Sequence, residues 1–252
     1  MLYLGAAVGS FLNVVIHRVP LGESVVSPRS RCPSCRSTIA WYDNIPVLSW
    51  VLLRGKCRGC GTGISARYPF IEFITALIAV VLFARHGPTP AFGVQFVFSC
   101  ALLVIAYIDL DHQIIPDKIS LPGIVLGLAA AIPAGMPAIT DAVLGVLVGG
   151  GLLLTVAWTY ERWTGREGMG GGDVKLLAMI GAFLGWQGVL LTLLLGSLLG
   201  SAIGIALMAS RGADRKLAIP FGPFLSLGAL VTLFWGHAIV RWYISYAGFS
   251  QI

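Results

Sequence analysis

Glu167-Gly168-Met169-Gly170-Gly171-Gly172-Asp173-Val174-Lys175 is the stretch from which the rest of the chain is best read. Four glycines fall within five residues, an acid follows at once, and about a dozen mostly apolar residues come after it. Glycine lets another chain approach the backbone closely and accepts torsion angles that other residues avoid. Each also weakens a helix by about 1 kcal/mol relative to alanine, so this density beside an acid needs a reason. The stretch reads as an aspartate presented at the mouth of an apolar helix, beside a backbone that a ligand can touch. A second acidic stretch, Ile108-Asp109-Leu110-Asp111-His112 through Pro116-Asp117, lies upstream of it.

Composition fixes the setting of these acids. The chain has 252 residues, 57% hydrophobic and only 11% charged, against roughly a quarter charged in average soluble proteins. Apolar runs cover Met1–Ile16 and residues 69–86, 91–108, 119–133, 141–159, 174–186, 188–209 and 220–242. Several approach or exceed the roughly 20 residues that cross a bilayer. The predicted fold is therefore an all-α polytopic membrane protein with about eight transmembrane helices. The expected division is a first transmembrane helix at 1–16, a small extramembrane domain at 17–68 and a seven-helix membrane domain at 69–252. Met1–Ile16 lacks the basic start and small-residue cleavage site of a signal peptide. The run 174–186 is the shortest, at about 20 Å of helix, which leaves a re-entrant segment as its alternative.

Orientation follows from the basic residues. With 17–68 in the cytoplasm, alternating crossings place 109–118, 160–173 and 210–219 on the same side. These four regions hold 8, 1, 2 and 3 lysines and arginines, and Lys175 brings the total to 15 of 17. That bias is the positive-inside rule, and it accounts for the net charge of +6 without invoking nucleic acid. A re-entrant 174–186 would move Arg211, Arg215 and Lys216 to the other side, so the charge bias favours eight crossings.

Two crossings separate Asp109 from Asp173, which puts both acids at the cytoplasmic edge. One stands at the end of an apolar helix and the other at the start of one, positions that the helix dipole treats oppositely. Two carboxyl groups sharing a proton can activate a water and protonate a leaving amine, so the pair is a candidate for peptide-bond hydrolysis. Asp117 reads as a helix N-cap and Asp111 as a polar turn residue. Lys175, two residues on from Asp173, orients that acid, contacts a substrate, or snorkels to the interface. Glu72, just inside the second span, is a candidate for binding an amine or a cofactor, or a rim residue paired with Arg67.

Cys32-x2-Cys35 and Cys57-x2-Cys60 stand 21 residues apart. Two such knuckles clamp one tetrahedral zinc ion with no open position, which marks a structural site. Disulfides are the alternative, and a cytoplasmic location disfavours them. Cys100, alone in an apolar run, reads as a small core residue.

Gly170-Gly171-Gly172-Asp173 fits the GxGD signature of membrane aspartyl proteases. Gly9-Ser10-Phe11-Leu12-Asn13-Val14-Val15-Ile16-His17-Arg18, Trp41-Tyr42-Asp43-Asn44-Ile45-Pro46-Val47, the stretch Asp109 to Asp117 and Pro220-Phe221-Gly222-Pro223 narrow the match. Together they resemble the bacterial prepilin peptidases, or type IV leader peptidases, over nearly the whole chain. The resemblance implies Asp109 and Asp173 as the catalytic pair; Gly170, Gly172 and Lys175 are read from their places beside Asp173 as supporting residues. It implies removal of the basic leader from type IV prepilins and type II secretion pseudopilins, after a glycine, at the cytoplasmic face of the bacterial inner membrane. It further implies N-methylation of the new terminal residue with S-adenosylmethionine, and leaves a homodimer open. The first family motif starts only at Gly9, so the N-terminus reads as short for the family. A membrane transporter and a non-catalytic zinc-bearing scaffold are the rival readings. The transporter is disfavoured because the charges gather at one edge rather than at the midplane, and the scaffold leaves the glycine-flanked acid unexplained.

Overall fold

The structure, a computed structural model, describes residues 1–165, 170–211 and 219–246. Its helices are α1 (Leu2–Arg18), α2 (Leu48–Leu52), α3 (Arg67–His86), α4 (Pro90–His112), α5 (Asp117–Ala131), α6 (Met136–Thr164), α7 (Gly171–Arg211) and α8 (Gly222–Tyr246). Short 3₁₀ turns form at Trp41–Asn44 and Ile132–Ala134. Among the described residues the β-structure is limited to two isolated bridges, Arg31 with Thr38 and Lys56 with Gly63. Six helices are long and apolar enough to cross a membrane, and the 17-residue α1 is a shorter apolar helix. The chain is a multi-pass membrane protein.

It divides into two compact units, Met1–Cys100 and Ala101–Ile252. In the first, α1 and α3 pack antiparallel through a small-residue face. A Cβ on Gly5 would lie 2.7 Å from the Ala76 Cα, and one on Gly9 would lie 2.7 Å from the Glu72 Cα. Two glycines four apart let the backbones touch, the means of helix association in lipid, where apolar burial drives little. Asn13 continues the same face, its Nδ2 donating to the Tyr68 carbonyl at 3.2 Å. Phe92 ties the start of α4 to α3, edge-on to Phe83 and stacked on Phe96.

In the second unit α5 and α7 start side by side, with α6 antiparallel to the first part of α7. The closest approach is Gly145 on Gly181, where each glycine faces the other's backbone, and Gly149 rests on the Leu177 carbonyl. Helix α7 is interrupted at Gly185, whose φ of 69° and ψ of 178° are not helical. Only glycine accepts such angles without strain, and the Asp141 carboxylate occupies the space where a Cβ would stand. Beyond this break α7 returns along α8, with Gly188 beside Thr232, Gly228 against Thr192 and Gly196 against Phe224. Residues 174–186 and 188–209 are thus two arms of a helical hairpin. The shortest expected span is a full outward arm, and the next segment comes back.

Close backbone contact makes the α6–α7 seam intolerant of side chains. Gly145→Val is expected to destabilise the protein by about 1–3 kcal/mol through overpacking, seen as a lower thermal midpoint in detergent. Gly151→Val, at a position with no atom within 4 Å of a Cβ, is expected to leave the midpoint nearly unchanged.

Candidate active site and metal centre

Helix α4 runs past the expected end of its span to His112, so Asp109 stands in the last turn rather than after it. Its backbone carbonyl accepts the Gln113 N–H at 2.9 Å. The side chain is buried, 5% exposed, and Oδ2 accepts the N–H of Gly222 at 2.9 Å. Gly222 is the first residue of α8, where backbone donors have no partner within the helix. A Cβ there would lie 2.6 Å from that same oxygen, so the acid takes up the room a side chain would need. Pro220-Phe221-Gly222-Pro223 is visible in the sequence, but nothing in its spacing points at Asp109. Gly222 is the site residue that the sequence analysis does not assign.

Asp173 lies in the first turn of α7, half-buried, its N–H donating to the Gly170 carbonyl at 3.2 Å. Gly170 therefore begins the helix with its carbonyl. Gly172 supplies close approach, because a Cβ on it would lie 2.9 Å from the Ile115 Cβ in the segment after α4. That contact brings the start of α7 to the end of α4. The two acids lie at one end of the unit, beside the start of α8. Glu167, Gly168 and Met169, from the stretch that organises the sequence, and Arg215 and Lys216, used for orientation, lie outside the described residues.

Lys175 is engaged by another acid. Its Nζ donates to both carboxylate oxygens of Asp117, at 2.7 and 2.8 Å. Asp117 is therefore not the N-cap of α5. Pro116 holds that place and Asp117 is the first helical residue, free to reach across to α7. The pair is well exposed, so its worth is small, about 0–1 kcal/mol, and its effect is to hold α5 and α7 in register beside Asp173.

In the first unit Glu72 is buried on α3, and its Oε2 accepts the Val47 N–H at 2.7 Å, with Ser10 as a further side-chain partner. It lines a cavity of about 930 Å³ together with Asn13, Tyr42, Trp50 and Tyr68.

The four cysteines converge. All four sulphurs lie within 4.8 Å of one another, and Cys32 and Cys60 are 3.7 Å apart. A tetrahedral ion with sulphurs at about 2.3 Å has edges near ~3.8 Å, so the cluster could hold a metal ion. None of the cysteines is in a disulfide. The two halves repeat one structure. Cys32 N–H donates to Ser37 O at 2.9 Å and Arg36 N–H to Cys32 O at 2.9 Å, while Cys57 N–H donates to Thr62 O at 2.8 Å and Gly61 N–H to Cys57 O at 2.9 Å. Arg36 and Gly61 share the left-handed conformation, with φ of 57° and 72°. The side chains of Ser37 and Thr62 lie 2.9 and 3.3 Å from Cys35 and Cys60. The Thr62 hydroxyl, then its backbone amide, pulls the Cys60 thiol down to about 6, toward the thiolate that a metal binds. Arg58, between the cysteines of the second knuckle, grips Asp43 with contacts of 2.6 to 3.0 Å, and its guanidinium holds that carboxyl below its ordinary value.

Comparison with known proteins gives a consistent picture. A family model described as the bacterial peptidase A24 N-terminal domain matches residues 3–86, and one described as the type IV leader peptidase family matches residues 96–205. A protein of Aeromonas hydrophila named prepilin leader peptidase/N-methyltransferase is 39% identical over 262 residues, covering 94% of this chain and 90% of its own. A protein of the same name from Pseudomonas aeruginosa is 40% identical over 270 residues, with 98% and 93% covered. Another from Myxococcus xanthus is 46% identical over 211 residues, with 83% and 62% covered. No solved structure matches the chain.

Elemental analysis of the purified full-length protein tests the cysteine cluster. One metal ion per chain is expected, falling to near zero in Cys60→Ala. A chelator strong enough to strip the ion is expected to speed proteolysis within residues 30–64 and spare the membrane helices.

Proposed function

The chain belongs to the type IV leader peptidase family, and we propose that it is a membrane aspartyl endopeptidase that removes the leader of type IV prepilins and then N-methylates the new terminus. The catalytic residues in this reading are Asp109 and Asp173. The observation that supports it is the packing of Gly172, next to Asp173, on Ile115 in the segment after α4, with Asp109 near the end of α4 buried against the Gly222 amide. One carboxylate takes a proton from water as the water oxygen bonds to the scissile carbonyl carbon. Its protonated partner donates to the carbonyl oxygen; as the C–N bond breaks, the first acid passes the water's proton to the nitrogen and the second takes back the hydroxyl proton as the carboxyl group forms. Gly222 is a positioning residue, holding one Asp109 oxygen so that the other is free for the reaction. Gly172 lets Ile115 pack against the start of α7, Gly170 begins the helix that carries Asp173, and Lys175 acts through the Asp117 pair that keeps α5 against α7.

The site faces the cytoplasm in this reading, supported by the lysine and arginine bias. A substrate with its apolar helix in the bilayer and a basic leader in the cytoplasm presents its scissile bond at that depth. Pseudopilins of type II secretion share this layout and fall in the same substrate class. Functionally, 1–16 is the first span, 17–68 the cytoplasmic metal-binding domain and 69–252 the peptidase domain. Zinc suits the four thiolates, with every position filled and a structural role. S-adenosylmethionine supplies the methyl group when bound. The first-unit cavity fits such a ligand, because its aromatic rings suit a sulfonium cation and the Glu72 carboxylate can hold the acceptor amine. A homodimer is the assembly to test for by size in detergent.

Leader removal from a full-length prepilin in vesicles, with methyl incorporation into a pre-cut peptide measured separately, tests the proposal. Asp109→Asn and Asp173→Asn are each expected to slow cleavage by about 10³-fold or more while methylating the pre-cut peptide normally. Glu72→Gln is expected to do the reverse. Normal cleavage by either asparagine variant would remove the acid pair from the mechanism.

A further inference from the structure

The five residues of α2 face the wrong way for a soluble domain. Ser49 is buried, its hydroxyl donating to the Tyr42 carbonyl at 2.8 Å and accepting the Ile45 N–H at 3.1 Å. Trp50 turns inward, its Nε1 donating to the Ile64 carbonyl at 3.0 Å. The outward face is therefore Leu48, Val51 and Leu52, exposed by 52%, 57% and 72%, at the i, i+3, i+4 spacing of one helical stripe. Trp41, in the 3₁₀ turn bound to α2 through Ser49, is 80% exposed.

The depth of this stripe is set by a part-buried bond to α3. Val47, just before α2, donates its N–H to Glu72 Oε2 at 2.7 Å. Glu72 is five residues into α3 from Arg67, about 7 Å along the helix axis. The polar interfacial layer on each side of a bilayer is of similar thickness, about 5–8 Å, so the bond pins the start of α2 near the boundary between headgroups and acyl chains. Val47 holds a φ of 62° to make this turn, an outlier for a β-branched residue and the kind of strain that marks a constrained position. Both ends of the region run into α1 and α3, which Asn13 and Tyr68 tie together.

We propose that Trp41 and the Leu48–Val51–Leu52 face of α2 form an anchor of the extramembrane region in the lipid interface, with anionic headgroups as its partner. Aromatic and aliphatic side chains on a short helix lying in the interfacial plane are what that environment takes up. Residues 17–68 carry eight basic residues against two acids, Glu23 and Asp43, and Asp43 is neutralised by Arg58. This excess draws the region to an anionic surface. A convex face of about one and a half turns is too short to offer a partner helix the i, i+3, i+4, i+7 anchors of a groove complex. The anchor is independent of the peptidase reading.

A photoreactive diazirine analogue of leucine, placed singly at Leu48, Leu52 or the exposed control position Glu23, tests the anchor. The full-length protein is irradiated in vesicles of phosphatidylethanolamine with phosphatidylglycerol, and adducts are identified by mass spectrometry. Lipid adducts at positions 48 and 52 are expected to exceed those at 23 several-fold, and to fall when phosphatidylcholine replaces phosphatidylglycerol. Equal yields at all three positions, or adducts at 52 mainly to another protein segment, would overturn the lipid assignment. Yields unchanged by the lipid swap would overturn the anionic partner.

Discussion

A carboxyl group buried at the edge of the hydrocarbon layer has to be met by protein, and the Asp109–Gly222 hydrogen bond is where this chain does so. The donor is the first residue of α8, so the positive end of that helix's dipole faces the acid. Considered on α4 alone, Asp109 stands at the negative end of a helix, and an asymmetry with Asp173 at the start of α7 follows. The start of α8 offsets it. Both acids sit at helix N-termini, one its own and the other borrowed. The Gly185 break has the same logic, because a hairpin of two arms brings α8 back to the end from which α7 departs.

Much of this was legible in the sequence because lipid imposes so few solutions. Eight apolar runs became helices or arms of helices, since a backbone in hydrocarbon must bond to itself. The cysteine spacing gave the cluster, because two CxxC knuckles close on one point. What could not be read were the contacts that depend on which faces meet. Lys175 finds Asp117 rather than Asp173, a partner 58 positions away, and Asp117 reaches it only because Pro116 takes the cap. Gly222 meets Asp109 across 113 positions. The knuckle repeat was hidden by divergence, with Arg36 in the left-handed position that Gly61 fills in its twin.

The first unit applies the same economy to its polar groups. Glu72 and Asn13 are buried beside the ends of spans and take backbone partners, Val47 and Tyr68. The first bond ties the cysteine-bearing region to α3, and the second ties α1 to α3 at its base. The four-cysteine cluster, which could hold a metal ion, lies in a stretch with few buried apolar side chains of its own. Structure near the membrane face is thus held by a handful of directed bonds rather than by a core.

The central claim is that two carboxyl groups share one reaction, and the pH dependence of kcat/KM for leader removal tests it most directly. A pair that must hold a single proton between them gives a bell, with activity lost when both are protonated and again when both are ionised. That profile is expected, read on a full-length prepilin with protein stability checked at each pH. A profile with one limb, or a plateau through the carboxylate range, would contradict the account.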